Sequence, residues 1–135
     1  METHKGQISL PGGVQEKNES LKETALREAE EEIGTLPKTI EIIGKLSSIC
    51  IPFSGYKVHP YVGWASAPPI LIPSTHEVER IIIVPIDELI DEKNQTQKKT
   101  ILRGMPVTMP YFSLKGEIVW GATSMILSEF KQIII

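Results

Sequence analysis

The apolar and polar positions of this chain predict one long helix near the start, several short strands, and a helix at the end. Between Ser20 and Gly34, the residues Leu21, Ala25 (or Leu26), Ala29 and Ile33 recur at helical spacing and form a packing stripe. Asn18 and Ser20 both suit the N-cap, Gly34 falls where a left-handed residue would end the helix, and Pro37 follows. Gln7 to Leu10 alternates enough for a short strand that stops at Pro11. Thr39 to Gly44, Leu46 to Ile51 and Tyr56 to Trp64 read as strands, with a turn at Pro52 to Gly55. The aromatic residues Tyr56, Tyr61 and Trp64 are expected in sheet and core. The proline-rich segment from Ala65 to Ser74 is a loop or sheet edge. Ile81 to Val84 reads as a buried strand, Pro85 to Ile90 as a short helix opened by proline, and Asp91 to Thr100 as a mobile polar loop. Hairpin strands flank Leu114 to Glu117, and the helix from Ala122 to Lys131 turns Met125, Ile126, Leu127 and Phe130 inward.

Composition narrows the class. The 135 residues suit one domain spanning 1–135, and 41% apolar with 23% charged residues is ordinary for a soluble globular protein. A net charge of −3 offers no basic footprint for nucleic acid. The apolar runs are too short for a membrane span, and no secretion signal opens the sequence. A single cysteine, Cys50, fits a reducing cytoplasm and reads as a buried structural thiol.

The chemistry concentrates in Arg27-Glu28-Ala29-Glu30-Glu31-Glu32-Ile33-Gly34. On a helix, Glu28, Glu31 and Glu32 share one face, where like charges repel. The bland reading is a solvated acidic face. The sharper one is a site for a hard divalent cation, Mg²⁺ or Mn²⁺, which takes carboxylate, water and phosphate oxygens. Arg27 stands four residues from both Glu23 and Glu31 and can bridge acids on either side. Upstream, Pro11-Gly12-Gly13 makes a tight turn that allows close backbone approach to an ion or phosphate.

Gly13, five residues, Glu19, seven residues, then Arg27-Glu28-Ala29-x-Glu31-Glu32-x-Gly34 resembles the signature of Nudix hydrolases. All seven fixed positions match; Ala29 and Thr35 replace bulky aliphatic residues, and Thr35 is expected to loosen packing after the helix. The resemblance implies an α+β fold, an α/β/α sandwich on a mixed central sheet. It also implies metal-dependent hydrolysis of a pyrophosphate bond in a nucleoside diphosphate derivative. The implied metal ligands are Glu28, Glu31, Glu32 and the carbonyl of Gly12. Arg27 would orient the carboxylates and Glu19 would stand behind them. A further acid is usual in the loop before a later strand, and Glu77 and Glu79 are the candidates there. Glu28, Glu31, Arg27 and Glu77 form the expected catalytic set, with the general base open between the signature glutamates and Glu77.

Partial matches point further, to the subgroup that cleaves coenzyme A. They lie at Gly6 to Gly13, Gly55 to Gly63, Glu77-Val78 leading to Val84-Pro85, and Tyr111-Phe112 with Trp120-Gly121-Ala122-Thr123. Coenzyme A or acyl-coenzyme A is therefore the favoured substrate, ahead of ADP-ribose and similar compounds. A binding module of the same fold without turnover is the reading from another class. Stacking on adenine is the second reading of Tyr56, Tyr61 and Trp64, behind sheet and core, and Lys57 and His59 are candidates for phosphate contacts. Only the tail of the subgroup's upstream pattern is present: Glu2 stands in place of its arginine and Leu10 in place of its aromatic residue. The resemblance thus implies a domain lacking its N-terminal strands, roughly 30 residues. Such a chain is expected to be less stable and less active on coenzyme A than an extended one, or to pair as a homodimer through the open edge.

Overall fold

The structure, a computed structural model, describes residues 7–135. Glu2, His4 and Gly6 lie outside the described residues. The chain forms two compact units: residues 10–81, and residues 7–9 with 82–135.

The first unit is built on helix α1, Leu21–Ile33. Of the two cap candidates, Ser20 is used: its hydroxyl accepts from the Glu23 N–H at 3.1 Å, and the Glu23 carboxylate accepts from the Ser20 N–H at 2.7 Å. This reciprocal box satisfies two helix-end donors. It also removes Glu23 from the reach expected of Arg27. Gly34 closes the helix at φ +80°, donating to the Glu30 carbonyl at 3.0 Å. The Ile72 N–H then bonds the Ile33 carbonyl at 2.8 Å and the Ser74 N–H bonds the Glu32 carbonyl at 2.9 Å. A crossing segment thus caps carbonyls that a helix end leaves open. A Cβ on Gly34 would meet the Ile72 backbone at 3.1 Å, so glycine is needed for the approach as well as for the conformation.

The strands of this unit are shorter than the pattern predicts. Strand β1, Glu41–Lys45, pairs antiparallel with β4, Tyr61–Trp64, and the register slips at Ile43. Strand β2, Ile49–Cys50, pairs with β3, Lys57–Val58. The expected strand from Tyr56 to Trp64 is therefore two, broken at His59-Pro60, and its halves serve different partners. A two-stranded ribbon covers little, so Tyr56, Trp64 and Cys50 are exposed rather than buried. Gln7 to Leu10 and Ile81 to Val84 form no strand, since no neighbouring strand pairs with them. Ile83 is exposed while Val84 packs on a core. Thr35 is buried and fills space after the helix.

In the second unit, helix α2, Ile86–Ile90, follows Pro85. Strands β5 (Gln95–Leu102), β6 (Met105–Leu114) and β7 (Glu117–Trp120) make an antiparallel sheet in that order, and helix α3, Gly121–Ile134, follows. The segment expected to be a mobile loop is a single helical turn at Glu92–Asn94 and then β5. Its polar residues hid it because an edge strand is held by its backbone ladder and needs little apolar surface. Arg103-Gly104 and Lys115-Gly116 both have two consecutive positive φ values, the conformation of tight two-residue hairpin turns. Leu89, Phe112, Leu114 and Val119 form the core, with Ile8, Val84, Leu127 and Phe130 against it. Met125 is exposed, whereas Lys131, whose stem was not expected inside, is fully buried. Its Nζ reaches Gln95 Oε1 at 2.8 Å and Glu92 Oε1 at 3.2 Å, and lies 5.9 Å from the Phe112 ring centre. Helices and antiparallel sheets together give the α+β class. No helix among the described residues is long and apolar enough to cross a membrane.

Candidate active site

Helix α1 carries the site, and Arg27 holds it together. Arg27 Nε donates to Glu19 Oε2 at 2.7 Å and Nη2 to Glu19 Oε1 at 3.1 Å, a bidentate pair. Nη2 also donates to the Val14 carbonyl at 3.0 Å. On its other side, Nη1 reaches both Glu31 oxygens at 3.3 Å and Glu28 Oε1 at 3.4 Å. One guanidinium therefore ties the loop before the helix to two carboxylates of the acidic face. Glu19 also accepts from Thr24 Oγ1 at 2.7 Å and from the Glu16 N–H at 3.0 Å. The Arg27 hydrogen bond above all, and these further donors, hold the Glu19 carboxyl down to about 2. The same pairing raises Arg27 above its ordinary value.

The acidic face behaves oppositely. Burial pushes the Glu28 carboxyl up to about 7, helped by a hydrogen bond with Glu31 and the negative charges of Glu31 and Glu32. Glu32 is also raised, first by burial, against a hydrogen bond from the Gly12 N–H at 3.1 Å. The charge of Glu77 is among the causes that raise Glu32. The segment that brings Glu77 there is the one whose Ile72 and Ser74 dock on the end of α1. Gly13 lies so close that a Cβ there would collide with the Glu28 carboxylate. The glycine pair thus lies directly on the acidic face, Gly12 bonding Glu32 and Gly13 pressed on Glu28.

These donors suit a hard cation. Among the described residues, no three acidic, histidine or cysteine side chains converge into a ready cage. Mg²⁺ does not require one, since it is usually held by one or two carboxylates with waters and phosphate oxygens. The carboxyl of Glu28, raised by burial beside other acids, is what a cation would relieve. Glu28, Glu31 and Glu32 are the carboxylates of this face, and Gly12 touches it through its N–H on Glu32.

Four contributors escape a reading of the sequence. Thr24 is buried and bonds Glu19, and a polar residue beside Ala25 of the apolar stripe was its only signal. Val14 acts through its carbonyl, which sequence does not display. Ile72 and Ser74 act through backbone N–H groups, forty residues from the motif they complete. Among the described residues, nothing links Glu79 to the face.

Comparison with known proteins agrees with the helix. A family model described as the NUDIX domain matches residues 2–104. Nudix hydrolase 3 of Caenorhabditis elegans is 35% identical over 115 residues, covering 83% of this chain and 47% of the relative. A protein named as an uncharacterized Nudix hydrolase, NudL, of Photorhabdus laumondii is 30% identical over 133 residues, covering 98% of this chain and 71% of the relative. The NudL of Pectobacterium atrosepticum is 31% identical, with 93% and 66% covered. The chain thus spans about half the length of the first of these relatives and about two thirds of the others. With Arg27 of α1 tying Glu19 of the preceding loop to Glu28 and Glu31, and a family model matching most of the sequence, this chain belongs to the Nudix family.

Proposed function

We propose that this chain hydrolyses a pyrophosphate bond in a nucleoside diphosphate derivative, with Mg²⁺ or Mn²⁺ held by Glu28, Glu31, Glu32 and the Gly12 carbonyl. The observation that carries the proposal is the Arg27 clamp, which fixes Glu28 and Glu31 on one face while Glu19 anchors the guanidinium from behind. The cation would neutralise the phosphoryl oxygens and lower the pKa of a bound water. Arg27 is fully engaged by carboxylates and a carbonyl, so its role is positioning rather than contact with substrate. Without a cation the Glu28 carboxyl is raised to about 7, so near neutral pH it holds a proton that a bound cation would displace. Glu31 and Glu77 are the other candidates in this reading for taking the proton of an attacking water. Both compact units are read as parts of one Nudix domain.

Coenzyme A or an acyl derivative is the substrate we favour, supported by the partial subgroup matches along the sequence. Cleavage would give a phosphopantetheine and adenosine 3′,5′-bisphosphate. The test is product chromatography after incubation with coenzyme A, ADP-ribose and NADH in Mg²⁺ or Mn²⁺. Cleavage of coenzyme A first supports the full reading. Cleavage of ADP-ribose with coenzyme A spared removes the subgroup and keeps the hydrolase. Binding of these compounds without turnover of any would replace the hydrolase with a binding module.

A further inference from the structure

A second recess lies on the same unit, away from the glutamates. It has a volume of about 350 Å³ and is lined by Leu21, Lys45, Leu46, Ser47, Ser48, His59, Pro60 and Tyr61. Two strand ends build it: the Leu46 N–H bonds the Pro60 carbonyl at 3.0 Å, and Ser48 Oγ lies 3.0 Å from His59 Nδ1. That pair presents a donor in any protonation state. If the hydroxyl donates to Nδ1, the neutral ring carries its proton on Nε2. If Nδ1 donates, the hydroxyl proton is left to point elsewhere. Lys45 adds an ammonium, Ser47 a second hydroxyl and Tyr61 a phenol, while no carboxylate among the described residues lines the recess. In a chain of net charge −3, a concave site with this lining selects an anion.

Its position on α1 decides which anion. Leu21 stands seven residues before Glu28, almost two full turns, so both project from one helical face about 10 Å apart along the axis. A ligand whose pyrophosphate sits at the glutamates can reach the recess with a group on its nucleoside half. We infer that the Lys45–Ser48–His59 recess binds a phosphate monoester carried by the substrate, in addition to the pyrophosphate that is cleaved. This inference rests on the hydrolase reading and deepens it: the substrate is a nucleotide with a further phosphoryl group on its sugar.

The test has two arms. In the first, inorganic phosphate is titrated into the metal-free protein and followed by NMR shifts of Ser48, His59 and Tyr61. Phosphate binds the wild type, about tenfold more weakly Lys45→Ala and His59→Gln, and unchanged Glu32→Gln, because a charge-assisted contact is lost only in the first two. In the second, KM is compared for coenzyme A and for its analogue without the 3′-phosphate. Lys45→Ala and His59→Gln raise KM for the phosphorylated compound about tenfold and leave the analogue and kcat unchanged. Lys45→Gln, which keeps the stem, behaves as Lys45→Ala and guards against a folding defect. Equal phosphate response in wild type and variants overturns the anion site. Phosphate binding with KM raised equally for both compounds, or for neither, overturns its link to the substrate. If the anion arm succeeds while neither compound is hydrolysed, the hydrolase reading falls and takes the substrate link with it.

Discussion

Arg27 meets Glu19 through two hydrogen bonds, at 2.7 and 3.1 Å, across eight residues of sequence. Because the same guanidinium holds Glu28 and Glu31, this pair sets where the acidic face points. Arg27→Lys keeps the charge and loses the fork, so metal affinity and activity should fall by about 10- to 100-fold, the usual cost of losing a partner that orients ligands. Calorimetry of Mn²⁺ binding to Arg27→Lys and Glu19→Gln checks it. Affinities equal to wild type in both would leave the clamp without a role at the site.

Glu19 and Glu28 predict opposite pH behaviour in the metal-free protein. The folded pKa of Glu19 lies near 2, below that of the unfolded chain. Its stabilisation is present above an unfolded value of about 4.3 and is lost as pH falls from there toward 2. The folded pKa of Glu28 lies near 7, above its unfolded value. The native state then binds more protons between about 4.3 and 7, so stability declines as pH rises through that window. Melting curves across pH 3 to 8 should show Glu28→Gln losing the decline near neutrality and Glu19→Gln losing part of the acid limb. A divalent cation should offset the Glu28 decline by binding the ionised form.

Gly13 and Gly34 are needed for different reasons, and alanine separates them. At Gly13 the added Cβ strikes the Glu28 carboxylate, so Gly13→Ala should weaken cation binding with a small change in melting temperature. At Gly34 the residue is left-handed and lies against Ile72, so Gly34→Ala should cost about 1–2 kcal/mol from conformation alone, before the contact is counted. Urea unfolding of both variants measures the difference.

Lys131 is buried while its partner Glu92 is exposed. Lys131→Met keeps the stem that packs near Phe112 and leaves no buried charge behind, so stability should change by less than about 1 kcal/mol. Lys131→Ala opens a cavity and should cost about 2–4 kcal/mol. Equal losses in the two variants would place the energy in the ammonium's bonds to Gln95 and Glu92.

The helix and its ends were legible because several local signals coincide between Ser20 and Gly34: cap, box, stripe and left-handed stop. The Lys115-Gly116 hairpin was legible from its turn residues and its flanking apolar runs. What failed were strands whose identity depends on a partner. Ile81 to Val84 has the right residues and no ladder, whereas Gln95–Leu102 has polar residues and a ladder of eight pairs with β6. At the site, the motif showed which side chains share a face, but backbone groups of Val14, Gly12, Ile72 and Ser74 complete it. Every residue offers a backbone donor or acceptor, proline lacking only the donor, so no residue type marks these positions.

The central claim is that Glu28, Glu31 and Glu32 hold the cation on which pyrophosphate hydrolysis depends. The most direct measurement is the rate of hydrolysis against Mg²⁺ concentration for the wild type, Glu31→Gln and Glu32→Gln, with circular dichroism on each. The account predicts saturable activation in the wild type, a loss of about 100-fold or more in each variant, and unchanged helix content. Equal rates in the three proteins, or hydrolysis that survives removal of divalent ions by a chelator, would contradict it.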